Sequence, residues 1–308
     1  MQGRVIQSTG AWYQVKGEDG LCYACQLRGK FRLNASPLTN PVAVGDEVEI
    51  EEQNDIEKTA MITGIVPRRN YINRQSPSHK MHHHIVASNL DQSVLFATLK
   101  EPKTSSGFID RFLVTSEAYH IPAIVVFNKT DVYKEKELQR LQEWTAMYEA
   151  IGYKVIATSL KENKGVDIVR DVLKDKTTLI SGHSGVGKST FINTLFPQMN
   201  LRTQDVSEWS GKGLHTTTFA EMFDLPFGGK LIDTPGIREL GLVDISKQEL
   251  SHYFPEMRAL MQECQFNNCM HFNEPGCAIK EAVAAGIIAE ARYVSYYNIS
   301  ETINEKKY

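Results

Sequence analysis

No apolar run in this chain approaches the roughly 18 residues that a membrane-spanning helix requires. Its first seven residues, MQGRVIQ, also lack the apolar stretch of an export signal. Cysteine is scarce, with five in 308 residues. An odd number without an export signal speaks against a disulfide framework and for metal ligands or free thiols in a reducing compartment. A cytoplasmic protein is therefore expected. Charge of one sign is lacking too: the formal net charge is −3, so any nucleic acid must be met by local patches. What the chain does have is length for about two domains and a 42% apolar fraction, enough for sizeable cores.

The strongest local signal is Gly182-His183-Ser184-Gly185-Val186-Gly187-Lys188-Ser189. It fits the phosphate-loop pattern G-x-x-x-x-G-K-[ST], follows the strand-like run Thr177-Thr178-Leu179-Ile180, and opens a helix-like stretch through Lys188, Ser189 and Thr190. Glycines let backbone N–H groups turn toward phosphate oxygens at a helix end that already favours anions. Lys188 reaches the β- and γ-phosphates, and the Ser189 hydroxyl ligates Mg²⁺. The expected ligand is a nucleoside triphosphate with its magnesium.

The base is named upstream. The apolar run Ile124-Val125-Val126-Phe127 ends in Asn128-Lys129-Thr130-Asp131. A carboxylate at that place accepts two hydrogen bonds from the N1–H and N2–H₂ edge of guanine. Adenine offers no such pair and would leave Asp131 unpaired, which argues against an ATP-dependent enzyme. Asn128 is expected to brace the loop and the Lys129 stem to lie over the purine. A further strand, Tyr153 to Ala157, runs into Thr158-Ser159-Leu160, a second base-contacting loop.

Two segments downstream have the chemistry of γ-phosphate sensors. Lys230-Leu231-Ile232 leads into Asp233-Thr234-Pro235-Gly236, where Asp233 holds Mg²⁺ through water and the Gly236 N–H bonds the γ-phosphate. Between this and the phosphate loop lies GKGLHTTT, residues 211–218, from which Thr217 is expected to complete the magnesium shell. Ile237 stands where many GTPases carry a water-orienting glutamine, so slow hydrolysis is expected, with His215 a candidate replacement. The motif order is base loop, second base loop, phosphate loop, switch one, switch two. Ordinary GTPases begin with the phosphate loop, so this is a circular permutation. It also sends the switch-two segment straight into the C-terminal region, which is expected to move with the nucleotide state.

The flanks read differently. Residues 1–66 alternate apolar and polar positions between glycine turns, which suits a small β-barrel of OB type, with an SH3-like barrel as the structural alternative. Cys22 and Cys25 would point to opposite faces of a strand, as free thiols. Residues 67–88 form a basic connector carrying Arg68, Arg69, Tyr71, Arg74 and a histidine run. It suits RNA contact, or equally a solvated linker whose arginines pair with the acidic stretch from Glu47 to Glu57. Histidines 82–84 alternate in extended chain and cannot share one ion. Residues 89–243 alternate strands with helices and imply a doubly wound, mostly parallel α/β sheet with the ligand at the strands' C-terminal ends. In residues 244–308, Cys264, Cys269, His271 and Cys277 form C-x₄-C-x-H-x₅-C, a closed Cys₃His set for one structural Zn²⁺. His252 lies outside that cluster, and the tail from residue 278 to about 304 reads as helix.

With these motifs in this order, the whole chain resembles the RsgA family (also YjeQ or YloQ), bacterial GTPases dependent on the small ribosomal subunit. The resemblance implies an OB-fold, a permuted GTPase domain and a mainly helical zinc domain. It further implies 30S and 16S rRNA partners, action late in 30S maturation, stimulation by the subunit, release on hydrolysis, and a monomer. The alternative is a non-ribosomal regulatory GTPase with RNA- or protein-binding accessory domains.

Overall fold

The structure, a computed structural model, describes residues 1–9, 12–29, 41–75, 83–196, 220–234 and 245–303. Five strands open the chain: β1 (Gln2–Ser8), β2 (Tyr13–Gly17), β3 (Cys22–Leu27), β4 (Glu47–Asn54) and β5 (Thr59–Ile65). They hydrogen-bond in the order β1-β2-β3-β5-β4, and β4 returns to β1 with Gln2 opposite Glu49 and Arg4 opposite Glu47. The sheet thus closes on itself as a small barrel of OB type, with β3 and β5 parallel. Alternation puts Val5, Val15, Tyr23, Cys25, Val48, Ile50 and Ile62 inside. Cys22 is exposed while Cys25 is buried, and burial pushes the Cys25 thiol up to about 12.

The segment read as a connector is not a solvated linker. Strands β6 (Tyr71–Gln75) and β7 (His83–Ser88) pair antiparallel, and Ile72, Val86 and Ala87 are buried in one of the next domain's cores. Arg68 faces inward to the fold. Arg68 is bidentate on buried Asp46, Nε to Oδ1 and Nη2 to Oδ2 both 2.7 Å. Asp46 also accepts from the Ser88 hydroxyl at 2.6 Å and the Ala43 N–H at 2.8 Å. The partner is therefore the residue just ahead of the acidic stretch, and the pair locks barrel to hairpin.

The central domain holds β8 (Gln92–Ala97), α1 (Ser106–Ala118), β9 (Ala123–Phe127), α2 (Glu135–Ala150), β10 (Lys154–Ala157), α3 (Val166–Leu173), β11 (Thr177–Ser181), α4 (Lys188–Leu195), β12 (Glu221–Asp224) and β13 (Lys230–Asp233). The strand order is β10-β9-β8-β11-β13-β12, parallel except for β12. The inner strands are covered on both faces, so apolar side chains follow one another along their middles. Leu95, Val125, Leu179 and Ile232 enter one core; Val94, Phe96, Ile124, Val126, Ile180 and Leu231 enter the other. The strand β12 also meets β1 of the barrel, Glu221 opposite Gln7, which makes the two sheets one.

The C-terminal part is helical: α5 (Pro255–Arg258), α6 (Ala278–Ala284) and α7 (Glu290–Thr302). The tail expected as one helix is two, broken where Gly286 takes φ +73°, a left-handed conformation that suits glycine. Its core of Leu250, Phe254, Met257, Ile279, Tyr296 and Ile299 includes Val114 from α1 of the central domain. No helix among the described residues is long and apolar enough to cross a membrane.

Candidate nucleotide and metal sites

The phosphate loop joins β11 to α4, and its glycines answer to close approaches. Gly182 has φ +142° and a Cβ there would collide with the Phe96 carbonyl; Gly187 has φ +105° and a Cβ would collide with Asn128 Nδ2. Asn128 Nδ2 donates to the Val186 carbonyl at 2.9 Å, so the base loop braces the phosphate loop directly. The Lys188 ammonium curls back to the Gly182 carbonyl and to the His183 carbonyl at 2.9 Å. Burial lowers its pKa, against the pull of Asp233. The His183 ring stacks on Phe108 with centroids 3.7 Å apart. Ser184 and Gly185 are exposed, Val186 is buried, Ser189 is half-buried, and Thr190 points to solvent.

Asn128 is the hub of the base loop. It is 1% exposed. Its Oδ1 accepts from the Thr158 hydroxyl at 3.1 Å and the Leu160 N–H at 3.4 Å. Thr130 donates through Oγ1 to the Thr158 carbonyl at 3.1 Å, and the Ser159 hydroxyl holds Asp131 Oδ1 at 2.7 Å. The two loops therefore form one unit, with the Asp131 carboxylate oriented by Ser159. Lys129 takes φ +64° and its ammonium donates to the Glu101 carbonyl at 2.6 Å. Tyr133, missed in the sequence, secures the turn: its buried hydroxyl donates to the Asn128 carbonyl at 2.7 Å and accepts from the Leu99 N–H at 2.8 Å.

Asp233 ends β13 beside the phosphate loop, 2% exposed. Its Oδ1 accepts from the Thr234 N–H at 2.9 Å, while Oδ2 is buried without a partner among the described residues. Burial lifts Asp233 to about 6, with Lys188 opposing. Across the strand pair stands Glu221, raised to about 7 by burial and then by the Asp233 charge. A buried, unpartnered carboxylate oxygen is the hard donor that Mg²⁺ takes, so the residues fit that ion. His215, Thr217 and Gly236, with Ile237, lie outside the described residues.

The other constellation is in the C-terminal part. The ligand atoms of Cys264, Cys269, His271 and Cys277 all lie within 4.8 Å of one another. His271 Nδ1 is 3.6 Å from Cys264 Sγ and 3.4 Å from Cys277 Sγ. A tetrahedral zinc with bonds of about 2.0–2.3 Å has edges of about 3.5–3.8 Å. The two His271–thiol separations are close to such edges, and the set could hold a structural zinc. Its frame is hydrogen-bonded from outside: the Tyr293 hydroxyl donates to the His271 carbonyl at 2.7 Å and the Tyr296 hydroxyl to the Met270 carbonyl at 2.8 Å. Glu274 accepts from the N–H groups of Met270, Phe272 and Asn273 at 2.8, 2.9 and 3.0 Å.

A sequence model of the RsgA GTPase matches residues 65–243, and one of the RsgA N-terminal domain matches residues 2–62. The chain is 50% identical over 302 residues to the small ribosomal subunit biogenesis GTPase RsgA of Christiangramia forsetii, covering 98% of this chain and 96% of that one. To the protein of that name from Cytophaga hutchinsonii it is 52% identical over 299 residues, 97% of each. Among solved structures it resembles YjeQ from Thermotoga maritima, with a TM-score of 0.78, 34% identity and 99% of both chains covered. It resembles YloQ, described as a circularly permuted GTPase, with a TM-score of 0.73 and 31% identity over 99% of this chain and 96% of that one.

Proposed function

The chain belongs to the RsgA GTPase family, a family of GTP hydrolases, and on that premise we propose that it acts in maturation of the 30S subunit and leaves when GTP has been cleaved. One observation carries the reading. Asn128 joins the base loop, the second base loop and the phosphate loop into a single hydrogen-bonded assembly at the strands' C-terminal ends.

Within it Asp131, oriented by Ser159, reads the guanine edge. Lys129 supports the purine and Lys188 moves from the loop carbonyls to the β- and γ-phosphates. Backbone N–H groups of residues 182–190 cradle the phosphates. Ser189 and Asp233 hold Mg²⁺, which offsets phosphate charge when bound. Thr217 completes that shell, Gly236 senses the γ-phosphate, and His215 orients water. The Cys₃His set holds one Zn²⁺ that shapes the C-terminal part and takes no part in hydrolysis. The barrel and zinc domain are the surfaces that meet the subunit and its 16S rRNA.

The test is co-sedimentation of the monomeric chain with purified 30S and 50S subunits in GDP and in a non-hydrolysable GTP analogue. Selective 30S binding that is tighter with the analogue is expected. Equal affinity in both states would leave a permuted GTPase with some other partner.

A further inference from the structure

At the end of the central sheet opposite the nucleotide loops lies a cavity of about 600 Å³. It opens where the chain enters β8, β9 and β11, a strand's length from the phosphate loop. Arg69, Tyr71, Asp91, Tyr119, His120 and Lys176 line it. The charge there is mostly cationic. Its one carboxylate, Asp91, is already engaged: Oδ1 pairs with Arg69 Nη2 at 2.9 Å and Oδ2 accepts from the Thr177 N–H at 2.7 Å. Asp91 therefore steers Arg69 and offers little repulsion to an incoming anion. Arg69, His120 and Lys176 are exposed at the rim. Among the described residues, the Tyr71 hydroxyl, the His120 ring and the Lys176 ammonium have no hydrogen-bond partner. Tyr71 is 39% exposed, and its ring is backed by Tyr119 at 5.6 Å and 48°. Tyr119 is itself tethered to Asn73.

A cavity of this size is in the range of small-ligand sites. An open aromatic face beside cations and free donors suits a base with its phosphate. We propose that this cavity binds a nucleotide, its base stacked on Tyr71 and its phosphate met by Lys176 and Arg69, and that the nucleotide is an unpaired residue of single-stranded RNA. The site is separate from the GTP site and, in its biological setting only, rests on the reading that the partner carries RNA.

The test uses the full chain saturated with GDP and Mg²⁺, so that the guanine site is filled. Ten-residue oligouridylate and oligoadenylate are titrated by fluorescence anisotropy, with AMP and UMP as competitors. A 4-thiouridine oligomer is photocrosslinked and the adduct mapped by mass spectrometry. The expected outcome is a crosslink at or beside Tyr71 and about tenfold weaker oligomer binding in Tyr71→Leu. Lys176→Ala should weaken binding and flatten its salt dependence, while Tyr71→Phe keeps it. GDP affinity and thermal midpoint, unchanged in all three, show that the fold and the GTP site are intact. Competition by AMP or UMP with no oligomer binding would replace RNA with a free nucleotide. Crosslinks confined to other surfaces, with oligomer affinity equal in wild type, Tyr71→Leu and Lys176→Ala, would overturn the proposal. Isolated oligomers are used so that this failure is distinct from a failure of 30S binding.

Discussion

The Asp131 carboxylate is set by one hydroxyl, since Ser159 donates to Oδ1. Asp131→Asn replaces an acceptor with a donor and should shift preference from guanine toward xanthine, read by competition of GTP and XTP for a fluorescent guanine nucleotide. At the magnesium end the residues predict a pH dependence. Burial raises Asp233 to about 6 and Glu221 to about 7. Carboxylates raised in the folded state stabilise it fully below their unfolded values, about 4, and lose that contribution as pH rises through 6 to 7. The metal-free chain should therefore become less stable from about pH 4 to about pH 7. Mg²⁺ affinity should rise over the same window, because the ion needs the ionised carboxylate. Thermal midpoints and magnesium titrations across that range check both. The motif residues were legible because short chain spacing alone brings their chemistry together. Tyr133, Phe108 and Glu221 were not, because fold and strand register bring them to their partners and no local pattern marks them.

Helix α1 ties two sites that the sequence kept apart. Its first turn places Phe108 on His183 of the phosphate loop, and its next turn presents Asp110 to Arg292 of α7. Arg292 is 1% exposed, its Nη1 2.7 Å from Asp110 Oδ1 and its Nε 2.7 Å from Glu256 Oε1. Tyr148 also donates to Asp110 at 2.9 Å. Burial raises the Asp110 pKa and Arg292 restrains it, so the acid depends on its cation. Arg292→Leu should cost about 3–5 kcal/mol by stranding that carboxylate, measured by urea unfolding followed on the C-terminal tyrosines. Cys269→Ser should release the zinc and loosen the same part, with nucleotide binding largely kept; metal analysis and GDP titration decide it. The alternation of strands and helices that contains α1 was visible in the sequence. The partners of α1 were not, since Asp110 and Arg292 are far apart in the chain and each reads alone as a surface charge. The same holds for Arg68 and Asp46, whose pairing turned an expected linker into a joint.

Across the whole molecule, both outer domains reach the catalytic centre through the core. The barrel arrives through β1 and β12, where Gln7 lies opposite Glu221 and Glu221 opposite Asp233. The C-terminal domain arrives through Arg292, α1 and the Phe108–His183 stack. Besides its chain link to switch two, this domain is seated on α1 by a buried ion pair, so a movement with the nucleotide state has to carry or break that contact. A subunit gripping barrel and zinc domain together would press on Glu221 and Asp233 from one side and the phosphate loop from the other. With Ile237 in place of the usual glutamine, basal hydrolysis should be slow, and 30S should accelerate it in single-turnover phosphate release. Ser189→Ala should remove basal and stimulated rates alike, since both need the magnesium ligand. Arg292→Leu should separate them, because it leaves the phosphate loop intact while loosening the C-terminal seat. Basal turnover near wild type with a reduced 30S stimulation is the expected result. Undiminished stimulation in that variant would exclude the α1 route and leave the barrel, through Glu221, as the path by which a bound subunit reaches the γ-phosphate.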